Sequence, residues 1–454
     1  MIPVHAAFRL MHAGRISVAH ELRRLDDPLG RHLRVLGLRP GMTLACGSRH
    51  RALHARLLFL LPRMGCPFLP LDPDMPPGIR TRLLEAAGPH LLMDDAHDRE
   101  PAVVAEACGG SHPLAAREPC LLLATSGTTG QPRLVELTGE NLASSARASC
   151  DHLELASNDR WLACLPLHHI GGLSVLLRCA WRGATAVLME RFSSVEAARL
   201  LHEQHITHVS LVPAMLHELL RQDLAPPPSL RVVLLGGAPA RQTLVEKALD
   251  RGWPVCPSYG LTEAASQVAT VYPPDRRWRE GQAGPLLPHV ELRLEEPGGN
   301  ICLRGPSVAR WCREAPGVRR RLQDEQGWLR TGDAGWLDDA GNLHLKGRLD
   351  DMLISGGENI HPVTLEAAFA GCPGVELPAV TAVDDPRWGD ALVLLYQGPA
   401  SPGEVNAWAK KHLRAAFLPK YFFRVDELPR NSLGKLLRRE LPRLALSWVQ
   451  SSDS

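Results

Sequence analysis

ATSGTTGQPRLVELTG, residues 124–139, begins where the apolar run 120–124 ends. Thr125, Ser126, Thr128 and Thr129 stand there among Gly127 and Gly130. A loop of this composition after a short apolar strand offers backbone N–H groups and hydroxyls that can wrap a phosphate. It also suits an ordinary turn, so the rest of the chain has to decide. It is not the phosphate loop G-x-x-x-x-G-K-[ST], because T-T-G-Q-P-R follows Gly127.

Working outward, short apolar runs alternate with helical patterns. GMTLACGS (41–48), RWLACLPL (160–167), ATAVLME (184–190), HVSLVP (208–213) and RVVLLGGA (231–238) read as strands. Helix-like stretches follow, among them SVEAARLLHEQ (194–204) and a segment around 171–182. This alternation predicts a parallel or mixed sheet covered by helices. Ligands on such sheets sit at the carboxyl ends of strands, so loop 125–130 and Gly236–Gly237 can meet at one crevice. From about residue 285 the pattern becomes β-rich, with DDAGN (338–342) as a hairpin turn. A second unit begins after Asp350, with helices expected at 363–370 and 403–416 and strands at 377–383 and 391–396.

The 454 residues allow several domains, and 45% apolar with 22% charged residues is ordinary for a globular chain. A net charge of +2 calls for neither nucleic acid nor an anionic membrane as partner. Eleven cysteines, without a C-x-x-C pair, argue against a disulfide framework or zinc knuckle. The N-terminus lacks the apolar core of a signal peptide, and no apolar stretch reaches the roughly 20 residues that span a bilayer. A cytoplasmic protein is expected. The basic residues are mostly arginine; the lysines are Lys247, Lys346, Lys410, Lys411, Lys420 and Lys435. His202, His205 and His208 recur every third residue, but they straddle a helix and a strand and need not converge on a metal.

Four more stretches carry chemistry. PSYGLTEAASQ (257–267) offers Tyr259 as a flat face for a base, the Thr262 hydroxyl, and Glu263 as a hard oxygen ligand suited to Mg²⁺. RTGDAGWLDD (330–339) places Asp333 where a carboxylate can accept both hydroxyls of a ribose. In GRLDDMLISGGENIHP (347–362), Arg348 can reach the same ribose, and Gly356–Gly357 allow close approach of a backbone or thin ligand. PRNSLGKLLRREL (429–441) sets Lys435 on a turn that opens a helix. Singly, each also reads as a turn or a solvated face.

In this order, the five stretches resemble the adenylate-forming superfamily of acyl- and aryl-CoA ligases, nonribosomal adenylation domains and luciferases. The resemblance covers nearly the whole chain. With PLHHIGGLSV (166–175), it is most similar to the bacterial o-succinylbenzoate–CoA ligases and related aryl-CoA ligases. The resemblance implies an α/β fold: a large N-terminal domain, 1–349, of helix-covered mixed or parallel sheets plus a small β subdomain, then a small mobile α+β C-terminal domain, 350–454. It implies an AMP-forming acid–thiol ligase of menaquinone biosynthesis that uses ATP, Mg²⁺ and CoA. A carboxylate attacks the α-phosphorus of ATP, pyrophosphate leaves, and a thiol then displaces AMP.

The implied roles follow the motifs. Thr125, Ser126, Gly127, Thr128, Thr129, Gly130 and Arg133 hold the β- and γ-phosphates. Tyr259 and Gly260, with Gly236 and Gly237, hold adenine; Asp333 and Arg348 hold the ribose. Thr262 contacts the α-phosphate, and Glu263 with Thr128 holds Mg²⁺. Lys435 bridges carboxylate and α-phosphate. His169 gates the acyl pocket, Asp350 is the hinge, and Ser355, Gly356 and Gly357 border the pantetheine channel. Arg133 replaces a usual lysine, Leu134 a usual glycine and Gly139 a common histidine. No aspartate in PLHHIGGLS awaits an α-amino group, so an aryl or arylalkyl acid is expected. The alternative thiol belongs to a carrier protein's phosphopantetheine. A homodimer is compatible with the sequence.

Overall fold

The computed structural model describes residues 2–23, 27–95, 102–103, 117–125, 133–296, 298–355, 358–385, 389–414, 417–430 and 434–452. Loop residues Ser126, Gly127, Thr128, Thr129 and Gly130, and Gly356 and Gly357, lie outside them.

The β-then-α segments build two eight-stranded sheets. In the first, Val255–Leu261, Val232–Leu235, His208–Leu211, Arg160–Ala163, Thr185–Leu188 and Arg9–His12 run parallel in that order. Antiparallel strands Ser266–Thr270 and Arg15–Val18 close its two ends. In the second, Pro119–Thr125, Phe68–Pro70, Leu44–Cys46 and Leu91–Met93 are parallel. Arg133–Thr138 pairs antiparallel with Pro119–Thr125, on the far side of loop 126–132. The central parallel strands are mostly apolar and buried, as expected of strands covered on both faces.

Helices Gly139–His152 and Ile170–Arg182 pack on each other and share one core with both sheets. Phe68, Leu121 and Val135 of one sheet meet Trp161, Ala186 and Val232 of the other around Leu142 and Leu173. Thr138 starts the first helix with a capping box: its hydroxyl accepts from the Asn141 N–H, and Asn141 Oδ1 accepts from the Thr138 N–H.

A five-stranded antiparallel sheet spans Gln282–Arg348. Its hairpin Leu329–Leu337/Asn342–Arg348 turns at Asp338, whose carboxylate accepts from the N–H groups of Ala340 and Asn342. The β-rich stretch is not one unit, however. Its hairpin Trp311–Ala315/Val318–Arg321 leaves this sheet and pairs with Arg133–Thr138. Likewise, Pro119–Thr125 and Val232–Leu235, the strands before loop 125–130 and before Gly236–Gly237, belong to different sheets.

The fourth sheet runs from Leu353 to Arg424, shares no strand with the others, and carries helices Pro362–Phe369, Pro402–His412 and Leu441–Ser452. The first helix matches the expected span, and the second ends four residues early, at His412. Among the described residues, no helix is long and apolar enough to cross a membrane.

Candidate active site

Strand Val255–Leu261 ends in a 3₁₀ turn, Thr262–Ala264, and the chain then reverses into Ser266–Thr270. This reversal is tight. A Cβ on Gly260 would lie 2.1 Å from the Ser266 carbonyl oxygen, so only glycine fits there. The turn fixes Tyr259 and Glu263 on either side of Gly260.

The Tyr259 hydroxyl donates to Asp333 Oδ2 at 2.6 Å. Asp333 faces Arg348 across the hairpin, with Arg348 Nη1 3.6 Å from Asp333 Oδ1. Arg348 also reaches Asp350 at 3.1 Å, at the start of the segment that leads to the fourth sheet. Burial raises the Asp333 carboxyl above its usual range, against the Tyr259 hydrogen bond and the positive charges of Arg348 and Lys435. Lys435 therefore comes to Asp333 from the far end of the chain. Protein packed around its ammonium, and then Arg348, lower its pKa, while Asp333 and Asp351 oppose.

Two contacts set Lys435 there. A Cβ on Gly434, at φ +72°, would meet Ala214 Cβ at 3.2 Å, so this turn sits on the start of helix Pro213–Leu220. Arg241 donates to the carbonyls of Glu376 at 2.9 Å and Pro378 at 3.4 Å. Three residues past Lys435, Arg438 forms a bidentate pair with Glu366 at 2.9 and 2.6 Å.

Glu263 is buried, and its carboxylate pairs with Arg133 Nη2 at 2.8 Å. Arg133 Nε donates to Thr125 Oγ1 at 3.3 Å, so both rims of the glycine-rich loop touch this pair. Thr262 stands beside it in the 3₁₀ turn. Gly236 is half-buried, and its N–H donates to the Leu211 carbonyl; Gly237 takes φ +80°. Gly236 and Tyr259 stand near each other because a Gly236 Cβ would lie 2.8 Å from Ser258 Oγ.

His169 caps the start of helix Ile170–Arg182 without a side-chain hydrogen bond. Burial lowers its imidazole to about 4, against Asp72, so it is neutral at pH 7. The neighbouring His168 ring lies 4.4 Å away and is pushed to about 2. Gly172 lets this helix start against its own loop, since a Cβ would lie 2.2 Å from the Pro166 carbonyl oxygen. Ser355 is buried in strand Leu353–Ser355.

One residue escaped the sequence reading. Arg178, on the His169 helix, is 1% exposed and lies over the Trp161 ring at 5.2 Å. Its Nη2 donates to Ser266 Oγ at 3.2 Å, and Ser266 Oγ donates to Ser174 Oγ at 3.3 Å. Among the described residues it pairs with no carboxylate, and burial lowers it to about 10. The signal was present: Ser174 and Arg178, four apart, put one polar stripe on the otherwise apolar helix 170–180. His202 bonds the Ala225 carbonyl, and His208 is buried against Trp161. Among the described residues no three His, Cys, Asp or Glu side chains converge on a metal position.

Two family models match the chain: AMP-binding enzyme over residues 12–311, and AMP-binding enzyme C-terminal domain over 364–435. The 2-succinylbenzoate–CoA ligase of Bacillus subtilis is 38% identical over 332 residues, 70% of this chain and 68% of that protein. The solved o-succinylbenzoate CoA synthetase of Bacillus subtilis, in complex with the acyl-adenylate intermediate OSB-AMP, superposes with TM-score 0.86. It is 32% identical, covering 95% of this chain and 94% of that one. The same enzyme in complex with ATP and magnesium ion gives TM-score 0.85 at 32% identity, with 95% and 96% covered.

Proposed function

This chain belongs to the AMP-binding enzymes, and we propose that it is an ATP-dependent acid–thiol ligase whose acid is 2-succinylbenzoate. Its carboxylate attacks the α-phosphorus of ATP; the bond to pyrophosphate breaks and an acyl-adenylate forms. The CoA thiol then attacks the acyl carbon and AMP leaves. The carrying observation is that Lys435, from a distant part of the chain, lies within electrostatic reach of the Asp333–Arg348 pair.

In this reading Asp333 accepts the two ribose hydroxyls and Arg348 holds it in place. Tyr259, Gly260, Gly236 and Gly237 form the adenine wall. Thr125, with Ser126, Gly127, Thr128, Thr129, Gly130 and Arg133, cradles the β- and γ-phosphates, and Thr262 meets the α-phosphate. The Lys435 ammonium lies between two anions that must approach, where a fixed cation lowers the barrier most.

Glu263 suits Mg²⁺: it is a hard, buried carboxylate beside the phosphate loop. A lone carboxylate fits a metal whose other ligands are phosphate oxygens, water and the Thr128 hydroxyl. Bound there, Mg²⁺ neutralises charge on the phosphoryl oxygens.

The acid follows from Arg178 and from the relatives. 2-Succinylbenzoate has two carboxylates; one is activated, and the other needs a receiver. Arg178, buried without a carboxylate partner on the His169 helix and bonded to Ser266 just past the Glu263 turn, supplies it. His169 gates passage between this pocket and the thiol. Asp350 is the hinge about which 350–454 turns against 1–349, bringing Ser355, Gly356 and Gly357 to the pantetheine.

ATP–pyrophosphate exchange over a panel of carboxylic acids, repeated with CoA and mass detection, tests this. Exchange and a CoA thioester with 2-succinylbenzoate are expected. Exchange without a CoA thioester would instead favour a carrier-protein thiol.

A further inference from the structure

Arg133 and Glu263 are 130 residues apart, one at the start of a strand in the second sheet and the other in the turn between two strands of the first, yet they form a close ion pair at 2.8 Å. Their side chains are only 15% and 11% exposed. Arg133 Nε is fixed by the Thr125 hydroxyl, and Glu263 is fixed through its carbonyl, which accepts from the Ala309 N–H. The carboxylate assigned to Mg²⁺ therefore already holds a cation.

We propose that Arg133 is the resident counter-ion of Glu263, so that the site admits a divalent metal only together with the nucleotide. This rests on the reading of Glu263 as the metal ligand. A buried carboxylate without a partner would attract free divalent ions. Paired to a guanidinium, it does not. Among the described residues no second His, Cys, Asp or Glu pair joins it to make a metal nest, so free metal gains too little to displace the arginine.

An incoming triphosphate changes the balance. Arg133 has five N–H donors in a planar fork. Its Nε stays at Thr125, on the rim of the phosphate loop, while its terminal nitrogens can exchange the Glu263 oxygen for phosphate oxygens. Glu263 is released to the metal that the same phosphates carry. A lysine has a single point of charge and a shorter reach. It could not keep Thr125 while trading one anion for another, so arginine at this position has a distinct effect.

Mn²⁺ binding to the intact protein, followed by loss of the free-ion EPR signal, tests this without turnover. The wild-type protein should bind Mn²⁺ weakly alone and tightly with a non-hydrolysable ATP analogue. R133Q should bind Mn²⁺ alone on the order of tenfold more tightly than the wild type, because a partly buried carboxylate is left unpaired. R133K, which keeps the charge and guards against a folding defect in R133Q, should fall between the two. Equal nucleotide-free Mn²⁺ affinity in wild type, R133K and R133Q would overturn the proposal. Separately, if E263Q left the affinity for Mn²⁺ with the analogue unchanged, Glu263 would not be the metal ligand. That result removes the metal reading and this proposal with it, whereas the R133 result leaves the metal reading standing.

Discussion

Lys435 is one of six lysines in a chain of 51 basic residues, and it is the one drawn to Asp333. Burial and then Arg348 lower its pKa, against Asp333 and Asp351. Replacing it removes the cation that we propose bridges carboxylate and phosphate. Lys435→Ala is expected to slow adenylation roughly 10²–10³-fold while sparing thioester formation from a supplied acyl-adenylate. Rapid-quench assays of the two half-reactions separate these steps, and equal loss of both would sink the assignment. Arg178 makes the complementary case for the substrate. Arg178→Met keeps the length and apolar stem but removes the buried charge. It should lower kcat/KM for 2-succinylbenzoate by roughly 10²–10³-fold, the cost of leaving one charge of a buried pair alone. A benzoic acid lacking the second carboxylate should lose little. Similar losses with both acids would mean that Arg178 is structural.

Gly260 shows how an element can demand a single residue type. The pairing of Val255–Leu261 with Ser266–Thr270 slips between Tyr259 and Gly260, and the reversal brings the Ser266 carbonyl against Gly260. Gly260→Ala must push that carbonyl away, at about 1–3 kcal/mol by the usual cost of overpacking. Because Tyr259 and Glu263 flank it, urea unfolding and ATP affinity should both weaken. Unchanged ATP affinity in a destabilised variant would detach the turn from the nucleotide. At this scale the sequence was most legible. Val232–Leu235, His208–Leu211 and the Asp338 hairpin fell where apolar period and turn residues placed them, because those signals are local. Sheet membership was not legible. Trp311–Ala315 joins a strand 177 residues away through the Arg313–Glu136 pair, and nothing near Trp311 in the sequence names that partner. The site divides in the same way. Lys435, Asp333 and Arg348 sit in recognisable motifs, whereas the Arg133–Glu263 pair and the Arg178 cluster arise only from tertiary approach.

Across the whole molecule, burial holds several histidines neutral: His54, His169 and His289 are pushed to about 4 and His168 to about 2. A free histidine titrates near 6.5. Between pH 6.5 and 4 the unfolded chain therefore binds more protons than the folded one, and stability falls as pH falls through that window. Unfolding free energies from denaturant titrations at pH 7.5 and 5 should differ by at least about 2 kcal/mol; a flat profile would mean that these rings are solvated. The same whole-molecule view explains why Lys435 is at the site at all. Its turn touches Ala214, and Arg241 holds the Glu376 and Pro378 carbonyls. These contacts join the fourth sheet's unit to the first sheet in one orientation. If residues 350–454 turn about Asp350 between half-reactions, this orientation serves adenylation and must be left before thioester formation. Arg241→Ala removes two hydrogen bonds from a charged donor that exist only in the first state. It should slow adenylation roughly fivefold, leave thioester formation from supplied acyl-adenylate unchanged or faster, and leave urea stability within about 1 kcal/mol. Equal slowing of both half-reactions would show that Arg241 supports the fold rather than one of two orientations.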